Sequence, residues 1–520
     1  RASALGHVMM AVFMLLLDTT IVNNAQVKIR EGLGANLTQI QWVLDAYILT
    51  YAVFLLSLGR LGDIFGRKRL FMLGMLIFTI ASGLCGISSW VGDLVGISGV
   101  NALIAARVLQ GFGGAMMMPQ SLSLLVIAFP PEKRGAAMGI WGSVVGLGAV
   151  AGPVIGGYLV THYDWEWVFL INLPVGIAAL IAALRIIPES RDPHASRRLD
   201  YVGLVLSGVG ILLFVYGCIE GNIKGWGSPV ILGTLAGGLA LVAVFIWWEA
   251  RVAEPMMRLE LFKIRNFSIG NFIALAVSFG MLGIFFPMTI YLQGVLGYTA
   301  IKAGLTMAPM SIVMLFGAPI AGRMTDRFGP RWIVFGGLVT MVVGIMYLAR
   351  LTDLDTTPAK LLPALIIGGL GMAFTFSPMT AATMRDVPPQ ISGSASGILN
   401  TVRNIGQVLG IAILGSVLQH QVSVHVADEL GGTALPVDHK DQVVTLAQQS
   451  QFERIADVVD PGQIGAVFEA VQRGFTSSIH NTFLVGSLLC LLAAAASWFL
   501  RDPVRARQTA PVESVVAVAD

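Results

Sequence analysis

Four ionisable side chains lie inside long apolar stretches of this sequence. Asp18 and Asp45 are in the first two stretches, Arg107 is in the fourth and Arg403 is in the thirteenth. A charge at the centre of a membrane costs at least about 2.5 kcal/mol, so residues of this kind are usually retained for function. Buried carboxyl groups can take up and release protons, and a guanidinium competes with the proton for a carboxylate. These residues therefore predict a proton-handling site inside a membrane protein.

Depth along the predicted helices decides which of these groups can meet. Asp18 lies near the middle of its apolar stretch, whereas Asp45 and Arg107 each lie about five residues from one end of theirs. We expect Asp45 to pair with Arg107, and we expect Asp18 and Asp45 to titrate during the working cycle. The alternative for Asp45 and Arg107 is a fixed ion pair with a purely structural role.

Composition restricts the class of protein. Of 520 residues 55% are hydrophobic and only 12% are charged, which excludes a water-soluble globular chain and gives no reason to expect a nucleic-acid partner. The three cysteines are scattered through apolar stretches, and no Cys or His pair has the spacing of metal ligands. We expect no metal and no cofactor. Because no nucleotide-binding loop is present, ATP is not the expected energy source.

The apolar stretches have the length of membrane-spanning helices. A bilayer core of about 30 Å requires roughly 20 apolar residues. We identify fourteen such stretches, which predict an all-α integral membrane protein with 14 transmembrane helices. They fall near residues 5–27, 40–60, 70–90, 99–121, 135–159, 166–187, 200–219, 229–249, 268–292, 303–322, 332–350, 361–381, 394–419 and 477–500.

A short polar loop rich in glycine and arginine occurs twice. Residues 59–69 read GRLGDIFGRKR, and residues 322–331 read GRMTDRFGPR, a degenerate copy with Thr325 and Pro330 that we expect to bind more weakly. Each copy separates two apolar stretches, so each marks a helix-to-helix turn at the membrane surface. The alternative is a loop whose basic residues only fix orientation. The residues of the first copy that we expect to act as a gate or latch are Gly59, Arg60, Asp63, Gly66 and Arg67.

The repeat indicates a duplicated chain. The two loops are separated by roughly 60 residues more than six helices require, which corresponds to two additional helices. Lys and Arg residues are concentrated on the side of the Gly59 loop, which predicts that both termini are cytoplasmic. The predicted domains are a six-helix bundle at 1–190, two additional helices with linkers at 191–265, a second six-helix bundle at 266–505 and a disordered tail at 506–520.

The second bundle contains a long segment at 421–476 that we expect on the extracellular side. Asp460 and Pro461 are typical of a helix start, and apolar residues recur at helical spacing from Ile464 to Phe475. We expect an amphipathic helix that lies against the outer face of the bundle. A partly ordered loop is the alternative.

The fifth stretch carries a dense glycine pattern with one proline. Small residues at every fourth position let two helices approach closely, and proline bends a helix. The pattern predicts a pliable seam beside a pathway, although closely packed helices in general also use small residues. Its members are Gly139, Gly148, Gly152, Pro153, Gly156 and Gly157.

These motifs together resemble the major facilitator superfamily, and within it the fourteen-helix drug:proton antiporters of the EmrB/QacA type. The matching segments are LDTTIVNNA from Leu17, the Gly59 loop, RVLQGFGGA from Arg107, the glycine pattern, WEWVFLINLPVG from Trp165, LDYVG from Leu199, YLQGVLGY from Tyr291 and SGILNTVRNIGQVLG from Ser396. The resemblance implies two six-helix bundles plus two extra helices. It also implies that Asp18 and Arg107 belong to proton coupling and that Asp63 latches the cytoplasmic side.

The resemblance further implies a substrate cavity near the membrane midplane between the two bundles. The residues that we expect to line it, each of which could instead serve helix packing, are Asn23, Gln110, Met117, Asn172, Gln293, Phe376, Asn400, Arg403 and Gln407. The expected partners are a small-molecule substrate, protons and membrane lipids, and a monomer is plausible.

The function favoured by these features is proton-driven export of amphipathic, cationic or neutral drugs across the inner membrane by alternating access. A dedicated exporter of one endogenous antibiotic, lipid or peptide product is the alternative. A membrane enzyme or sensor is a remote one, because no nucleophile, base and acid share a pocket.

Overall fold

The computed structural model describes residues 2–35, 37–130, 133–190, 200–432, 435–448 and 452–501. Within these ranges the chain is helical and has no strand, which confirms the all-α prediction. The predicted tail at 506–520 and most of the linker that opens the 191–265 region lie outside the described residues.

Seventeen α-helices are described, numbered in chain order. Their bounds are α1 Ala2–Leu33, α2 Leu37–Phe65, α3 Arg67–Gly86, α4 Ser88–Val95, α5 Gly99–Ala128, α6 Arg134–His162, α7 Trp167–Leu170, α8 Asn172–Ile186, α9 Tyr201–Lys224, α10 Pro229–Glu249, α11 Arg265–Ile290, α12 Ala300–Phe328, α13 Pro330–Leu351, α14 Pro358–Arg385, α15 Ser392–Gly431, α16 Val437–Gln448 and α17 Ile464–Ser497. Short 3-10 helices occupy Leu259–Lys263, Pro389–Ile391 and Phe452–Asp457, and a π-helical turn follows α11 at Tyr291–Val295.

Many of these helices have the dimensions of membrane spans. Among the described residues, eleven helical segments are long and apolar enough to cross a membrane. Backbone hydrogen bonds within a helix leave no polar group unsatisfied in lipid, which explains why apolar stretches of this length fold as helices. The chain is therefore built as a multi-span helical bundle.

The helices pack as two groups. In the first half, α2 and α3 pack on α5, while α1 packs on α6 and α8. In the second half, α11 packs on α15, α12 and α13 pack on α14, and α17 packs on α13 and α15. The halves meet along two helix pairs, α6 with α12 and α2 with α15. Helix α9 packs on α10, α2 and α15, so it lies beside the second of these pairs.

The two glycine loops are the tightest turns between spans. Gly66 joins α2 to α3 with φ of 112°, and Gly329 joins α12 to α13 with φ of 89°. Residues with a Cβ rarely adopt these dihedrals, so glycine is required at both positions. The repeat in the sequence therefore corresponds to the same turn in each half, and we call the end of the bundle that carries both turns the glycine-loop end.

The helix predicted from Ile464 to Phe475 is present, but it is not an element apart from the last span. The residues from Ile464 to Phe475 are helical, but they form the first turns of α17, which continues without a break to Ser497. Helix α15 likewise continues past its predicted end at 419 to Gly431. The two extensions pack together, because Val467, Val471 and Phe475 are buried and a Cβ at Gly474 would lie 2.7 Å from Val426. The apolar periodicity thus reflects packing between two projecting helices.

Glycines of α6 bring two other helices into close contact with it. On one face a Cβ at Gly148 would lie 2.7 Å from the Leu16 side chain, and a Cβ at Gly156 would lie 2.7 Å from that of Ile21. Between them, Gly152 faces Thr20, whose hydroxyl donates to the Gly148 carbonyl at 3.1 Å. These spacings let α1 lie directly against α6.

The remaining glycines of the pattern face α12 in the second half. A Cβ at Gly139 would lie 2.7 Å from the Ala318 carbonyl oxygen, and one at Gly157 would lie 2.5 Å from Ile301. Pro153 lies within α6, but its side chain is outside the described part of the structure. The glycine pattern therefore marks a seam between α1, α6 and α12.

The close packing of α1 on α6 predicts that Gly152→Ala destabilises the protein. The added methyl would overlap the Thr20 side chain, and overpacking of this kind typically costs about 1–3 kcal/mol. The check is a lower melting temperature of the purified protein in detergent. Gly233→Ala in α10 is the control, because no atom lies within 4 Å of a Cβ at that position. Equal melting temperatures for the two variants would contradict the prediction.

Candidate functional site

A buried ion pair joins α1 to α5. The Nη1 atom of Arg107 donates to Oδ2 of Asp18 at 2.6 Å, and both side chains are almost fully buried. At this separation in a low-dielectric interior the attraction is strong, yet removing two charges from water is also costly. Such a pair persists only where further hydrogen bonds satisfy the remaining polar atoms.

Neighbouring amides supply those hydrogen bonds. Gln110 donates from Nε2 to Oδ1 of Asp18 at 2.8 Å and accepts from Nη1 of Arg107 at 2.7 Å. Asn172 at the start of α8 donates to the same Oδ1 at 3.0 Å and to the Ser82 hydroxyl at 3.0 Å. The carboxylate of Asp18 is thus bound by three donors from two helices. Gln110 and Asn172, predicted to line a substrate cavity, belong to this network.

Arg107 is also held by α2. Its Nε donates to the carbonyl of Val43 at 3.1 Å, and its guanidinium lies 4.3 Å from the centre of the Tyr47 ring. A cation over an aromatic face gains roughly 0.5–2 kcal/mol, more when it is desolvated. The guanidinium therefore has a carboxylate, an amide, a carbonyl and an aromatic face as neighbours. Together these contacts fix its orientation.

The predicted pairing of Arg107 with Asp45 is wrong. Arg107 reaches the level of Asp45, since it contacts Val43 and Tyr47 on the same helix. Val43 and Tyr47 are four residues apart and share a face of α2, whereas Asp45 lies between them and points to the opposite side. Asp45 is partly buried there, and the charged group that acts on it electrostatically is Glu220 of α9.

The Asp63 carboxylate closes the glycine-loop end. Its Oδ1 accepts from the backbone N–H of Gly393 at 2.8 Å, and its Oδ2 accepts from that of Ser394 at 2.7 Å. These two groups lie in the first turn of α15, where unpaired N–H groups and the helix dipole favour an anion. Arg67 forms an ion pair with Asp63 at 2.5 Å. A carboxylate of the first half therefore caps a helix of the second.

The adjacent guanidinium makes further links between the halves. The Nη2 atom of Arg67 donates to the carbonyls of Pro389 and Gln390 at 2.8 and 2.7 Å. Gly59 allows the helices to meet, because a Cβ there would lie 2.7 Å from the Gly393 carbonyl oxygen. Arg60 is buried at this end and has a polar or electrostatic partner. Gly59 and Asp63 therefore lie at the contact between α2 and α15, and Gly66 and Arg67 lie in the turn that follows α2.

The second loop makes the reciprocal contact. Asp326 of α12 accepts from the backbone N–H groups of Gly135 and Ala136 in the first turn of α6, both at 2.9 Å. Pro330 stands where the first loop has Arg67, so that position provides no guanidinium to this carboxylate. The degenerate loop nevertheless keeps the two hydrogen bonds that cap the opposite half. The expected weakening of the second latch therefore concerns only the arginine that Pro330 replaces.

The other residues predicted for the substrate cavity are spread along the bundle. Met117 is buried in the core of α5, and Asn400 donates to the carbonyl of Ser396 in its own helix at 2.8 Å. Gln293 is exposed in the π-helical turn, and Gln407 is partly exposed on α15. Asn23 lies in α1, but its side chain is outside the described part of the structure.

Phe376 and Arg403 meet at the interface of the two halves. The ring of Phe376 stacks on Trp141 of α6 with centroids 5.7 Å apart, and the Arg403 guanidinium lies over both rings at 4.5 and 5.4 Å. The structure adds Trp141 and Tyr47 to the candidate residues. Aromatic residues among apolar neighbours carry no distinctive signal, although the four-residue spacing of Tyr47 and Tyr51 places both on one face of α2.

Comparison with known proteins identifies the family. A family model described as Major Facilitator Superfamily matches residues 8–411, so the chain belongs to this superfamily of membrane transporters. It is 34% identical over 502 residues to a tetracenomycin C resistance and export protein of Streptomyces glaucescens, covering 95% of this chain and 90% of that one. It is 33% identical over 507 residues to the multidrug resistance protein Stp of Mycobacterium tuberculosis, covering 91% of each.

A solved structure shares the fold. The proton:xylose symporter XylE bound to 6-bromo-6-deoxy-D-glucose aligns with a TM-score of 0.60 over 96% of both chains, at 14% sequence identity. At that identity the likeness concerns the arrangement of helices alone. The fold and the family together define a multi-pass membrane protein.

The buried ion pair predicts strong energetic coupling between Asp18 and Arg107. Asp18→Asn should destabilise the protein by about 3 kcal/mol or more, because it leaves a buried guanidinium without a counter-charge. The double variant Asp18→Asn/Arg107→Gln should be less destabilised than the sum of the single changes. Thermal unfolding in detergent measures all three variants. The exposed pair Glu469 and Arg473 provides the control, with an effect of at most about 1 kcal/mol for Glu469→Gln. Additive changes at Asp18 and Arg107 would contradict the coupling.

The capping carboxylates predict that the glycine-loop end opens when they are neutralised. Ser392 is fully buried there and contacts Ser123 at 2.7 Å, so a cysteine at Ser392→Cys reports access to this end. Adding Asp63→Asn or Asp326→Asn should increase labelling by a membrane-impermeant maleimide severalfold. The three natural cysteines are buried and should contribute little background. Asp93→Asn in the exposed part of α4 is the control, and equal labelling in all variants would refute the latch.

Proposed function

We propose that this protein exports small organic molecules from the cell in exchange for protons. The observation that carries the proposal is the Asp18–Arg107 ion pair, a carboxylate and a guanidinium buried together between membrane-spanning helices. Relatives that cover most of the chain are named for resistance to or export of antibiotics. No cofactor is required in this mechanism, because the proton gradient supplies the energy.

The geometry gives Asp18 a direct route to coupling. Protonation of its carboxyl would remove the negative charge that holds Arg107, and the guanidinium would keep Gln110, the Val43 carbonyl and the rings of Tyr47 and Phe169 as neighbours. The contact between α1 and α5 would then be weaker, because the hydrogen bond from Gln110 to Asp18 would remain without the ion pair. Because α1 rests against the glycine seam of α6, a movement of α1 can be transmitted to the contact between the halves.

Asp45 is proposed as a second titrating acid with a different environment. Its charged neighbour is Glu220 of α9, which is paired with Lys224 at 3.0 Å. Two acids of like charge oppose each other's ionisation when they are close. A proton at this site would therefore ease the contact between α2 and α9.

We further propose fourteen spans, with both termini in the cytoplasm of an inner-membrane protein. The three long helices α1, α6 and α11 coincide with predicted apolar stretches and would complete the eleven segments that meet the length and composition of a span. In this arrangement residues 1–190 and 266–505 form six-helix bundles, and α9 and α10 are the two additional helices. The subtype is that of the EmrB/QacA drug:proton antiporters.

In this orientation the structure corresponds to a state that is closed to the cytoplasm. The reciprocal caps by Asp63 and Asp326 lie at the glycine-loop end, which carries the basic loops. Alternating access would break these caps and open a path between the halves toward the cytoplasm. Substrate would enter from that side and leave after the caps re-form.

The breadth of substrates distinguishes two forms of this proposal. A multidrug exporter protects cells against many compounds, whereas a dedicated exporter protects against one. Relatives of both kinds are named among the similar proteins, one for multidrug resistance and one for tetracenomycin C. Growth inhibition by a panel of antibiotics and dyes, in cells with and without the gene, separates these forms.

Proton-driven export predicts that resistance depends on Asp18 and on the gradient. Wild-type protein should raise the inhibitory concentration of at least one compound severalfold, and a protonophore should abolish its export from preloaded cells. Asp18→Asn should lose gradient-driven uptake into inverted membrane vesicles. Glu469→Gln removes an exposed carboxylate and serves as the control. Full coupling in Asp18→Asn, with the protein correctly inserted, would exclude Asp18 from the mechanism.

A further inference from the structure

Among the described residues, the buried cation Arg403 has no carboxylate as a counter-charge. Its side chain is only 5% exposed, and it lies about 16 Å along α15 from Ser392, which is near mid-membrane depth. Its Nη2 donates to the hydroxyl of Thr380, whereas Nε and Nη1 are buried without a hydrogen-bond partner. Within the described residues no carboxylate forms an ion pair with it. The titratable group that acts on it is the Tyr51 phenol.

The aromatic neighbours do not replace an anion. The guanidinium lies 4.5 Å from the centre of Phe376 and 5.4 Å from that of Trp141. Cation–π contacts offset part of the cost of a charge at this depth, but they leave the N–H donors of Nε and Nη1 without an acceptor. Arg107, by comparison, has a carboxylate at 2.6 Å. Arg107 and Arg403 therefore differ in whether a carboxylate already occupies the guanidinium, which is the property that matters for binding an anion.

The position of Arg403 is suited to a substrate. Arg403 and Phe376 belong to the second half, whereas Trp141 belongs to α6 of the first half, so this cluster spans the seam between the halves. Trp141 and Phe376 stack in parallel, with 4° between their planes. When the halves separate, Trp141 is withdrawn from Phe376 and from the guanidinium. A flat ring could then enter between Phe376 and Trp141 and stack on both.

We propose that Arg403 is the binding site for the acidic group of an exported substrate, whose planar aromatic ring stacks on Phe376 and Trp141. The carboxylate or phenolate of such a compound would accept hydrogen bonds from Nε and Nη1 in the planar two-donor geometry that a guanidinium provides. The inference rests on the proposed export function, because it requires the two halves to part. It assigns organic anions as a substrate class, whereas the sequence favoured cationic or neutral compounds.

The first test compares two probes with the same ring and nearly the same shape, one of them an anion and the other uncharged. 2-Naphthoate and the uncharged 2-naphthamide are titrated calorimetrically into the full-length protein purified in detergent. Wild-type protein should bind naphthoate at least tenfold more tightly than naphthamide. Arg403→Gln should abolish this preference, and Arg403→Lys should restore part of it. Arg350→Gln changes an exposed arginine at the end of α13 and should keep the preference intact.

Further variants separate the ring from the charge. Trp141→Leu should weaken both probes by a similar factor, because it removes a stacking surface and leaves Arg403 unchanged. An inorganic anion is the competing occupant. If chloride binds in an Arg403-dependent manner and naphthoate does not, the proposal is overturned. It is also overturned if naphthoate and naphthamide bind wild-type protein equally, or if Arg403→Gln, shown to be folded by its thermal transition, keeps the preference for naphthoate.

A transport measurement distinguishes this inference from the export function. Proton-gradient-driven uptake of naphthoate and of the cation ethidium is followed in inverted vesicles. Uptake of ethidium in wild type and in Arg403→Gln, without any uptake of naphthoate by either, would leave proton-driven export standing and refute the anion site. Arg403-dependent binding of naphthoate without gradient-driven uptake of either probe would support the anion site and contradict the export function.

Discussion

A carboxylate and a guanidinium buried between spanning helices constrain the whole first half of this protein. Neither Asp18 nor Arg107 can lose its partner without leaving a charge in a medium that does not solvate it. Four elements therefore converge on the pair: α1 and α5 carry it, α8 supplies Asn172, and α2 supplies the Val43 carbonyl and the Tyr47 ring. The glycines of α6 then fix α1 in turn. A change in the charge of Asp18 therefore alters contacts made by each of these helices.

An aromatic path leads from this pair to the seam between the halves. Arg107 lies over Tyr47, Tyr47 stacks on Tyr51 with centroids 5.9 Å apart, and the Tyr51 phenol acts on Arg403. Arg107, which has a carboxylate partner, and Arg403, which has none in the described part of the chain, are therefore connected through two rings of a single helix. Because α2 also carries Asp63 at its far end, one helix links the ion pair, Arg403 and the latch.

The sequence predicted which ionisable residues are buried better than it predicted which way their side chains point. Ionisable residues within apolar stretches stand out, because hydrocarbon rarely contains them, and helical rise gives their depth. Depth correctly brought Arg107 to the level of Asp45. It could not tell which face of α2 Asp45 occupies, since that depends on where α9 packs, and so the partner of Arg107 was assigned wrongly.

The sequence likewise did not predict where helices continue without a break. The apolar spacing from Ile464 to Phe475 indicated a helix, but only the contact of Gly474 with Val426 reveals that α15 and α17 project together. The repeated glycine loop, by contrast, was readable, because its backbone geometry requires glycine at the same position in both copies. Local sequence pattern predicts that a segment is helical, whereas tertiary packing determines what that helix packs against.

The exchange of helix caps between the halves has a consequence for how the molecule opens. Each half offers a carboxylate to the other and receives one in return, so a cap holds both sides of the closed end, and Arg67 strengthens the first of them. Breaking one cap leaves the other in place between the same two halves. This favours a rigid, all-or-none separation of the halves over a gradual one. A transporter built in this way would spend little time half open, and that limits the leakage of ions through it.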